Sequence, residues 1–496
     1  MLGLITSLIC LVCVAAYIFL KRRYNYWKNL EVAGPEPTMV VGNMKDFISL
    51  KFSEPDMVHE WYKEYKNEPY IGYYNFWKPT LLVIDPELIK AITETEFNYF
   101  IDHPELITET EPDAVMDSLF TMSGARWKAK RQIFTKLFSP KKLRELSNIL
   151  EEQQDSLLGE FEKLLKSTDE VELMRIMERH VLKILTSFMY SIDSSQNQES
   201  HSKLSELSEI FARPPGSSVR RFLFFVVFPS LYHKLKLSAF PRVFWNYFNN
   251  FTNELLQSRN DQNVNREDLV ALIGKMQKEG LLETDRIGHN EAVGHVFGFL
   301  IAGHHTTMTT VSHAIYQLSL HPQIQEKLRT EVDSVLKGKD NITYDSIKQM
   351  TYLDGVINET LRLFPLLGVL KRTCTQTYKI NDKLTIPKGM DISIPAYSIH
   401  TDPEYFPEPE KFIPERFTDA ETPPSLFMSF GKGPRMCIGK RFAYISMKSI
   451  IAKIISEYII LPGTKTRKPL QFDTSTFFIT VHPVGGLHVR LQKRIK

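Results

Sequence analysis

The chain opens with an uninterrupted apolar run. Residues Leu2 to Leu20 carry no charge, and the run ends at the basic triplet Lys21-Arg22-Arg23. At about 1.5 Å per helical residue, such a segment nearly crosses a hydrocarbon layer of roughly 30 Å. A cleaved signal peptide would need charges before the run and a small-residue cleavage site after it, and neither is present. The pattern predicts an uncleaved membrane anchor over residues 1–23, whose basic flank keeps the remainder in the cytosol.

Beyond the anchor, apolar residues recur with helical periods in some stretches and with the alternation of a strand in others. Helices are expected at Met57–Lys66, from Trp127 onward, from Thr284-Asp285 to about His321 and at Arg441–Ile454, and strands at Tyr70–Tyr74, Thr80–Ile84, Thr474–Val481 and Gly486–Gln492. The last two strands are expected to form a hairpin that closes a sheet. Both periods occur in one chain, so the sequence predicts helices packed with small sheets.

The predicted helix that ends before Pro322 carries a row of small residues. Gly294, Gly298, Ala302 and Thr306 recur every four positions and so share one face. Glycine costs about 1 kcal/mol relative to alanine in a helix interior, so the row needs a reason. A face for pairing membrane helices is one alternative, but the apolar run is too short and histidines interrupt it. A flat ligand packed against the helix explains the row better.

Length and composition indicate one large domain after the first forty residues. The chain has 496 residues, of which 43% are hydrophobic, and no Gly/Ser-rich linker, low-complexity tract or internal repeat divides it. A formal net charge of +3 is too balanced to indicate nucleic-acid binding. The four cysteines, Cys10, Cys13, Cys374 and Cys437, suggest neither a disulfide framework nor a zinc quartet.

One of these cysteines lies in an unusual loop. The segment from Phe430 to Gly439 reads Phe-Gly-Lys-Gly-Pro-Arg-Met-Cys-Ile-Gly, and its glycines allow backbone angles that other residues resist. Cys437 comes just before the helix predicted at Arg441–Ile454, where the helix dipole and free N–H groups favour a thiolate. Gly439 leaves room for a bulky group beside the sulfur. An isolated cysteine is usually a buried structural residue, and the loop alone leaves that alternative open.

The loop resembles the FxxGxRxCxG signature of the cytochrome P450 family, the haem-thiolate monooxygenases. Phe430, Gly433, Arg435, Cys437 and Gly439 match every fixed position of it. The resemblance implies that Cys437 is the axial ligand of the iron of haem b. It also implies a mostly α fold with small β-sheets (α+β), in which a proline-containing hinge at residues 24–40 joins the anchor to one haem domain at 41–496.

Further motifs follow in the family's order. Trp127 and Arg131 match the WxxxR motif, whose side chains hydrogen-bond a haem propionate; a core tryptophan beside a surface arginine is the alternative. Arg372 and Arg435 fall where related members place other propionate-binding arginines. The resemblance also assigns Phe430, Gly439, Ala302 and Gly303 to the haem.

A second pair of motifs implies a structural role. Glu359 and Arg362 match the ExxR motif, and Arg416 lies in a match to the PERF motif. By itself, such a Glu/Arg pair would be a weak surface ion pair. In the family, the three side chains form a buried charged triad that clamps the loop before the cysteine.

The row of small residues falls on the family's distal motif, [AG]-G-x-[DE]-T. Ala302, Gly303 and Thr306 match, and the threonine is expected to shape oxygen binding and proton delivery. His305 stands where the family has an acidic residue. With an unperturbed pKa of about 6.5, a histidine can still relay protons. It could instead be a structural histidine with satisfied hydrogen bonds, or it could coordinate the iron directly.

The resemblance implies an enzyme that inserts one oxygen atom of O2 into a lipophilic small molecule. The substrate is expected to contact Phe297, Ile301, Leu366 and Phe477. The aromatic stretch from Arg221 to Pro229 is expected to dip into the membrane and admit substrate. The sequence is similar to eukaryotic microsomal members, which implies the endoplasmic reticulum membrane with the haem domain in the cytosol.

Electrons must come from a partner, because no flavin or nicotinamide fingerprint is present. The resemblance implies an NADPH-dependent cytochrome reductase, with cytochrome b5 as a second donor. The basic residues that could steer an acidic partner to the cysteine face, or could simply form a solvated surface, are Lys128, Lys130, Lys432, Lys440 and Arg441.

His305 keeps two other functions open. One is a reductase-independent haem-thiolate isomerase or dehydratase acting on oxygenated lipids, against which the retained Thr306 argues. The other is a non-catalytic haem protein that binds a ligand, with His305 blocking the sixth iron position. A requirement for NADPH in turnover separates the monooxygenase from both.

Overall fold

The computed structural model describes residues 2–104, 113–192, 198–212, 224, 229–235, 241–261, 267–278, 286–338, 341–418, 425–474 and 481–495. The chain forms two compact units. Unit 1 comprises Met1–Pro104, Leu367–Ile399 and Gly431–Met436, and unit 2 comprises Glu105–Leu366, His400–Phe430 and Cys437–Lys496.

Helices dominate the described residues. They are α1 (Leu2–Tyr24), α2 (Tyr26–Asn29), α3 (Lys45–Ile48), α4 (Glu54–Glu64), α5 (Pro86–Lys90), α6 (Gly124–Phe134), α7 (Pro140–Leu165), α8 (Leu173–Tyr190), α9 (Gln198–Ala212), α10 (Pro229–Lys234), α11 (Arg242–Asp261), α12 (Leu269–Lys278), α13 (His289–Leu320), α14 (Pro322–Leu336), α15 (Tyr344–Gln349), α16 (Thr351–Leu363), α17 (Ala396–His400) and α18 (Lys440–Glu457).

The strands are short. They are β1 (Tyr70–Asn75), β2 (Lys78–Val83), β3 (Glu170–Glu172), β4 (Leu370–Thr373), β5 (Tyr378–Lys379), β6 (Thr385–Ile386), β7 (Asp391–Ile394), β8 (Tyr458–Leu461) and β9 (His488–Lys493). The predicted fold class, mostly α with small β-sheets, is confirmed.

Unit 1 is built on a four-stranded sheet of order β1-β2-β7-β4, in which only the β2–β7 pair is parallel. The strands predicted at Tyr70–Tyr74 and Thr80–Ile84 are β1 and β2, and they pair directly. The helix predicted at Met57–Lys66 is α4, which begins three residues earlier. It does so because Ser53 and Asp56 form a reciprocal capping box at its first turn.

The chain after the apolar segment is fastened to β1. Among the described helices, only the one at the N-terminus is long and apolar enough to cross a membrane. The Tyr74 hydroxyl donates to the Tyr24 carbonyl at 2.8 Å, and the Trp27 indole donates to the Tyr73 carbonyl at 3.1 Å. Trp27 is 3% exposed, so it is a core residue and not an interfacial aromatic. The Gly72 N–H donates to the Ala33 carbonyl at 2.8 Å.

Helix α13 runs through the core of unit 2, where it packs against α8, α11, α16 and α18. It ends at Leu320, and Pro322 begins α14, as the sequence predicts. The described helix begins at His289, and the start predicted at Thr284-Asp285 lies outside the described residues. The helix predicted at Arg441–Ile454 is α18, which is slightly longer at each end.

The C-terminal segment forms a second sheet, of order β3-β9-β8. The strand predicted at Gly486–Gln492 is β9, but it pairs with β8 and β3 rather than with the preceding stretch. A short antiparallel pairing does join residues 471–473 to 482–484: the Asp473 N–H donates to the His482 carbonyl at 2.9 Å. The expected hairpin is therefore partly wrong in its pairing, and its tip lies outside the described residues.

Candidate functional site

The cysteine loop presents its sulfur at the start of α18. The Cys437 N–H donates to the Phe430 carbonyl at 2.8 Å, which closes the loop. Gly439 precedes the first residue of α18, and its carbonyl accepts the N–H of Ala443 at 2.9 Å. Cys437 keeps an exposed side chain. A side chain added at Gly439 would meet only the edge of the Phe138 ring, at 3.8 Å, so the space beside the sulfur is open.

The electrostatics of Cys437 differ from the prediction. Desolvation by the protein atoms around the sulfur raises the pKa of the thiol. The Gly439 N–H and the positive charges of Arg131 and Lys440 act in the opposite direction but do not outweigh it. The N–H donor at the start of the helix thus acts in the predicted direction, but desolvation outweighs it. The Arg131 guanidinium therefore lies close enough to Cys437 for the two groups to interact electrostatically.

In unit 1, the first half of the signature is held against the segment around residues 93–102. Gly433 has φ +66°, and a Cβ there would lie 1.8 Å from the Thr93 carbonyl oxygen, so only glycine fits. The Arg435 Nε donates to the Ile101 carbonyl at 2.7 Å, and its terminal nitrogen lies 3.6 Å from Asp102. The structure thus gives Arg435 backbone and carboxylate partners.

The charged triad is a closed hydrogen-bonding unit in unit 2. Glu359 and Arg362 are both fully buried and form a bidentate pair, with both N···O distances 2.7 Å. Arg416 donates to the same carboxylate at 3.3 Å. Arg362 also donates to the carbonyls of His400, Pro409 and Lys411 at 2.8–3.1 Å. The buried charges are therefore satisfied, and they fix the chain that leads toward the cysteine loop.

Helix α6 carries Trp127 and Arg131. Trp127 is buried, and Arg131 is half-buried, which lowers the pKa of its guanidinium. Lys130, between them, is 1% exposed and lies 3.5 Å from Glu291. It cannot belong to a docking surface, so its inclusion among the steering residues is wrong. Lys128 is exposed.

Glu291 is the centre of an ion network that sequence reasoning missed. It accepts from Arg126 at 2.9 Å, and Arg126 also donates to Asp117 at 2.7 Å. The His295 and Arg126 side chains outweigh the burial of Glu291 and lower the pKa of its carboxyl to about 2. The network ties α6 to the start of α13. Its members are far apart in sequence and form no motif, so no local signal could have found it.

One narrow surface of α13 is accessible. Between Glu291 and Ser319, all of which the structure describes, every residue is buried except Gly298, Ala302, Gly303 and Thr306. We call these four residues the open strip. The Thr306 hydroxyl donates to the Ala302 carbonyl at 2.6 Å, so the hydroxyl also lies on the open strip. An accessible alanine on an otherwise buried helix is what a flat ligand packed there requires.

The row of small residues has a mixed origin. A Cβ at Gly294 would lie 2.1 Å from the Asp117 carbonyl oxygen, and one at Gly298 would lie 2.6 Å from Ser118. These two glycines admit another chain segment, so the explanation of the whole row by a flat ligand is wrong for them. A Cβ at Gly303 would meet Leu185 at 2.8 Å. Only Ala302 and Thr306 remain to face a ligand.

His305 is buried and is not part of the open strip. Its Nε2 donates to the Ser208 carbonyl at 2.8 Å, and it is 3% exposed. Burial lowers the pKa of His305 to about 4, so it is neutral at pH 7. The neighbouring His304 is hydrogen-bonded to Ser208 and to the Glu178 carbonyl. Sequence reasoning did not find Ser208, which is 97 residues from His305.

The expected substrate contacts are buried or undescribed. Phe297 is 2% exposed and packs edge-on against Phe248, with ring centroids 4.9 Å apart. Ile301 and Leu366 are buried. The structure does not bring Phe297 to the open strip. Phe477 lies outside the described residues, as does nearly all of the aromatic stretch from Arg221 to Pro229.

A buried arginine in unit 1 fits an anionic cofactor. Arg372 is 3% exposed, and burial lowers the pKa of its guanidinium to about 10. One terminal nitrogen donates to the Lys371 carbonyl at 2.8 Å, but its buried Nε has no hydrogen-bond partner among the described residues. A buried cation with an unused donor requires an anion. Arg372, the open space at Gly439 and the accessible Ala302 each fit the propionates or ring of a haem.

No group of three or more His, Cys, Asp or Glu residues within the described ranges could hold a metal ion by itself.

Comparisons with known proteins agree with this interpretation. The family profile described as Cytochrome P450 matches residues 32–488. Cytochrome P450 6j1 of Blattella germanica is 32% identical over 494 residues, covering 99% of this chain and 96% of the relative. Cytochrome P450 6B2 of Helicoverpa armigera is 30% identical over 502 residues, covering 98% of each chain. Probable cytochrome P450 6a13 of Drosophila melanogaster is 31% identical over 497 residues, covering 99% of each. The chain therefore belongs to the cytochrome P450 family of haem-thiolate monooxygenases.

Proposed function

We propose that the protein is a membrane-anchored monooxygenase that inserts one oxygen atom of O2 into lipophilic small molecules, with Cys437 as the axial ligand of haem b. One observation carries the proposal. An exposed cysteine residue stands at the N-terminus of α18, in a closed loop beside an open space at Gly439. Structural cysteines are normally buried, so an exposed one in a tightly held loop suits a ligand.

The family resemblance supplies the remaining proposed haem contacts. In unit 2, Ala302 offers a flat surface, and Trp127 and Arg131 carry N–H donors. In unit 1, the resemblance assigns Arg372 and Arg435 to the propionates. When bound, the haem supplies the redox chemistry that activates O2 and transfers one oxygen atom to the substrate. The protein supplies binding, orientation and protons.

Thr306 is the proposed proton-handling residue. Its hydroxyl donates to the Ala302 carbonyl at 2.6 Å and is half-buried. A hydroxyl can donate one hydrogen bond and accept two, so rotation about its bond lets Oγ1 pass a proton from a water to a ligand beside the open strip. It is the only side-chain hydroxyl on that strip, since the other members are glycines and alanine.

We infer the electron donors and the cellular location from membership of the family. We propose an NADPH-dependent cytochrome reductase, with cytochrome b5 as a second donor, and residence in the endoplasmic reticulum membrane with the haem domain in the cytosol. Of the predicted steering residues, Lys128 and Arg441 are exposed and Lys432 and Lys440 are half-buried, so these four remain available to an acidic partner.

The decisive experiment is an absorption spectrum of the purified protein, first ferric and then reduced with dithionite under carbon monoxide. We expect a strongly red-shifted Soret band on adding carbon monoxide, which Cys437→Ser should abolish. The matched control is Cys374→Ser. Cys374 is buried, and its sulfur contacts the Gln376 carbonyl at 2.8 Å, so its loss should leave the band unchanged. An unshifted band in the unmodified protein would overturn the proposal.

The same purified protein also tests the two alternative functions, a non-catalytic ligand-binding protein and an isomerase or dehydratase. A nitrogen-ligated ferric spectrum with poor carbon monoxide binding would favour the ligand-binding protein. The hydrogen bond from His305 Nε2 to the Ser208 carbonyl argues against it, because that nitrogen is already occupied. Turnover of an oxygenated lipid without NADPH would favour the isomerase or dehydratase.

A further inference from the structure

Two adjacent histidines join α13 to α9 at a single residue. The His305 Nε2 lies 2.8 Å from the Ser208 carbonyl oxygen, and the His304 Nδ1 lies 2.7 Å from the Ser208 hydroxyl. Ser208 is thus contacted through both its main chain and its side chain. All three residues are nearly inaccessible, with exposed fractions of 0–3%.

The partners fix the position of one proton on each ring. A carbonyl oxygen can only accept, so His305 carries its proton on Nε2. His304 donates from Nε2 to the Glu178 carbonyl at 2.8 Å, which leaves Nδ1 to accept the Ser208 hydroxyl. Burial lowers the pKa of His305 to about 4 and that of His304 to about 3, so both rings are neutral at pH 7, each with its Nε2 proton committed to a main-chain oxygen. Neither has a proton free for transfer to the open strip.

The contact extends to α8. The Ser205 hydroxyl donates to the Glu178 carboxylate at 2.5 Å, so α9 is bonded to α8 as well as to α13. Ser208 lies in the last two turns of α9, which ends at Ala212. These hydrogen bonds hold the C-terminal end of α9 against the flank of α13, the helix that carries Ala302 and Thr306.

We propose that His304, His305 and Ser208 form a clamp that sets the position of α9 beside the open strip, and that His305 is a positioning residue. The role in the reaction rests on the proposed function, whereas the clamp does not. The family's acidic residue could not replace His305 here. A carboxylate would place an acceptor against the Ser208 carbonyl, which is also an acceptor, and both would be buried.

Four variants of the haem-loaded protein test the clamp. His305→Gln keeps an N–H that can donate to the Ser208 carbonyl, His305→Ala removes it and His305→Glu replaces it with an acceptor. Ser208→Ala removes only the hydroxyl bonded to His304, and it is the mildest change should another variant fail to fold. Two readouts are needed: amide hydrogen exchange of α9, and the Soret shift of the ferric protein titrated with imidazole and with the wider 4-phenylimidazole.

We expect His305→Ala and His305→Glu to speed exchange in α9 at least fivefold and to change the affinity ratio of the two ligands at least threefold. His305→Gln should resemble the unmodified protein in both, and Ser208→Ala should lie between. Equal behaviour of the Gln and Ala variants would overturn the proposal, as would unchanged α9 exchange in the Glu variant. A proton relay would make Gln and Ala equally defective in turnover while leaving α9 unchanged.

The carbon monoxide spectrum of each variant keeps the two proposals apart. A thiolate-type band with unaltered α9 exchange in His305→Ala would refute the clamp alone. Faster exchange without a thiolate-type band in any form would support the clamp and refute the monooxygenase.

Discussion

At the scale of single residues, Glu359 shows how the fold keeps charge in its interior. Its carboxylate accepts from Arg362, from Arg416 and from the Ile413 N–H, so no buried oxygen is left without a donor. Removing one partner from such a group destabilises the fold by more than the intact pair stabilises it, because an uncompensated buried charge remains.

We therefore expect Arg362→Ala to lower the free energy of unfolding by about 3–5 kcal/mol, measured by denaturant titration. Lysine at this position should rescue little, since it cannot form the bidentate pair. The matched control is Lys379→Ala, which breaks a highly exposed pair with Asp382 and should cost less than about 1 kcal/mol. Similar losses of unfolding free energy in the two alanine variants would contradict the assignment of Arg362 as a buried charge partner of Glu359.

Thr306 allows a second test at this scale. With reductase and NADPH supplied, Thr306→Ala should release several-fold more hydrogen peroxide per NADPH consumed, because the open strip then has no hydroxyl to deliver protons. Thr306→Ser should behave like the unmodified protein. Thr310→Ala is the control, since that hydroxyl makes the same kind of bond, to the Thr306 carbonyl at 2.8 Å, but is buried one turn away. A peroxide yield that does not change in Thr306→Ala would remove the residue from the proton path.

Single residues also mark the limit of sequence reasoning about the site. The short spacing in the ExxR motif predicted the pair of Glu359 and Arg362, and the cysteine loop predicted the place of Cys437 before α18. The third partner, Arg416, came only from the family resemblance, because it lies 57 residues from Glu359. The motifs could not predict the raised pKa of the Cys437 thiol, since desolvation depends on atoms supplied by distant segments. Ser208 and Glu291 were missed for the same reason: their partners come together only through tertiary packing.

At the scale of elements, α13 combines two uses of small residues. Gly294 and Gly298 admit the segment around Asp117 and Ser118, while Ala302 and Thr306 remain accessible. The periodicity of the sequence predicted one common face but could not divide it, because a four-residue repeat does not show what covers each turn. The end of the helix was predictable, since Pro322 is a local signal.

The first pair of glycines can be tested by substitution. Gly294→Ala should destabilise the fold by about 1–3 kcal/mol despite the better helix propensity of alanine, because the new Cβ meets a main-chain oxygen that cannot move aside. Gly159→Ala is the matched control: Gly159 is exposed within α7, a Cβ there would have no neighbour within 4 Å, and the variant should gain about 1 kcal/mol. Thermal and denaturant unfolding measure both. A higher free energy of unfolding in both variants would mean that Gly294 is not closely packed.

At the scale of the whole molecule, several histidines are buried without charge. Burial lowers the pKa of His305 and His313 from 6.5 to about 4, and that of His180 and His304 to about 3. In the unfolded chain these groups take up protons below about pH 6.5, whereas in the folded chain they stay neutral until about pH 4. The unfolded state thus binds more protons in this window.

The free energy of unfolding should therefore contain the full contribution of these histidines above about pH 6.5. It should fall as the pH decreases toward 4, by up to about 1.4 kcal/mol per pH unit for each histidine. Denaturant titrations at pH 7.5, 6.5 and 5.5 measure the slope. His305→Gln removes one titrating group and should reduce the slope below pH 6.5 by up to about 1.4 kcal/mol per unit. A slope that begins only below about pH 4.5 would assign acid sensitivity to carboxylates such as Glu291 instead.

The overall organisation was only partly readable from the sequence. The apolar run, the helical periods and the two strands β1 and β2 were predicted from local patterns, and they are present. The interleaving of the chain between two compact units was not, because Leu367–Ile399 and Gly431–Met436 join residues far away in sequence. The single catalytic domain proposed for residues 41–496 stays a prediction.

The attachment of the chain to β1 has a mechanical consequence. The Trp27 indole lies so close to Gly72 that a Cβ there would be 2.2 Å from the ring, and Tyr24 accepts a hydrogen bond from the Gly42 N–H at 3.1 Å. Any tilt of α1 is therefore transmitted through the indole to the first sheet of unit 1, instead of being absorbed by a loose tether. With α1 as the proposed membrane anchor, the bilayer would set the orientation of that sheet relative to the membrane surface.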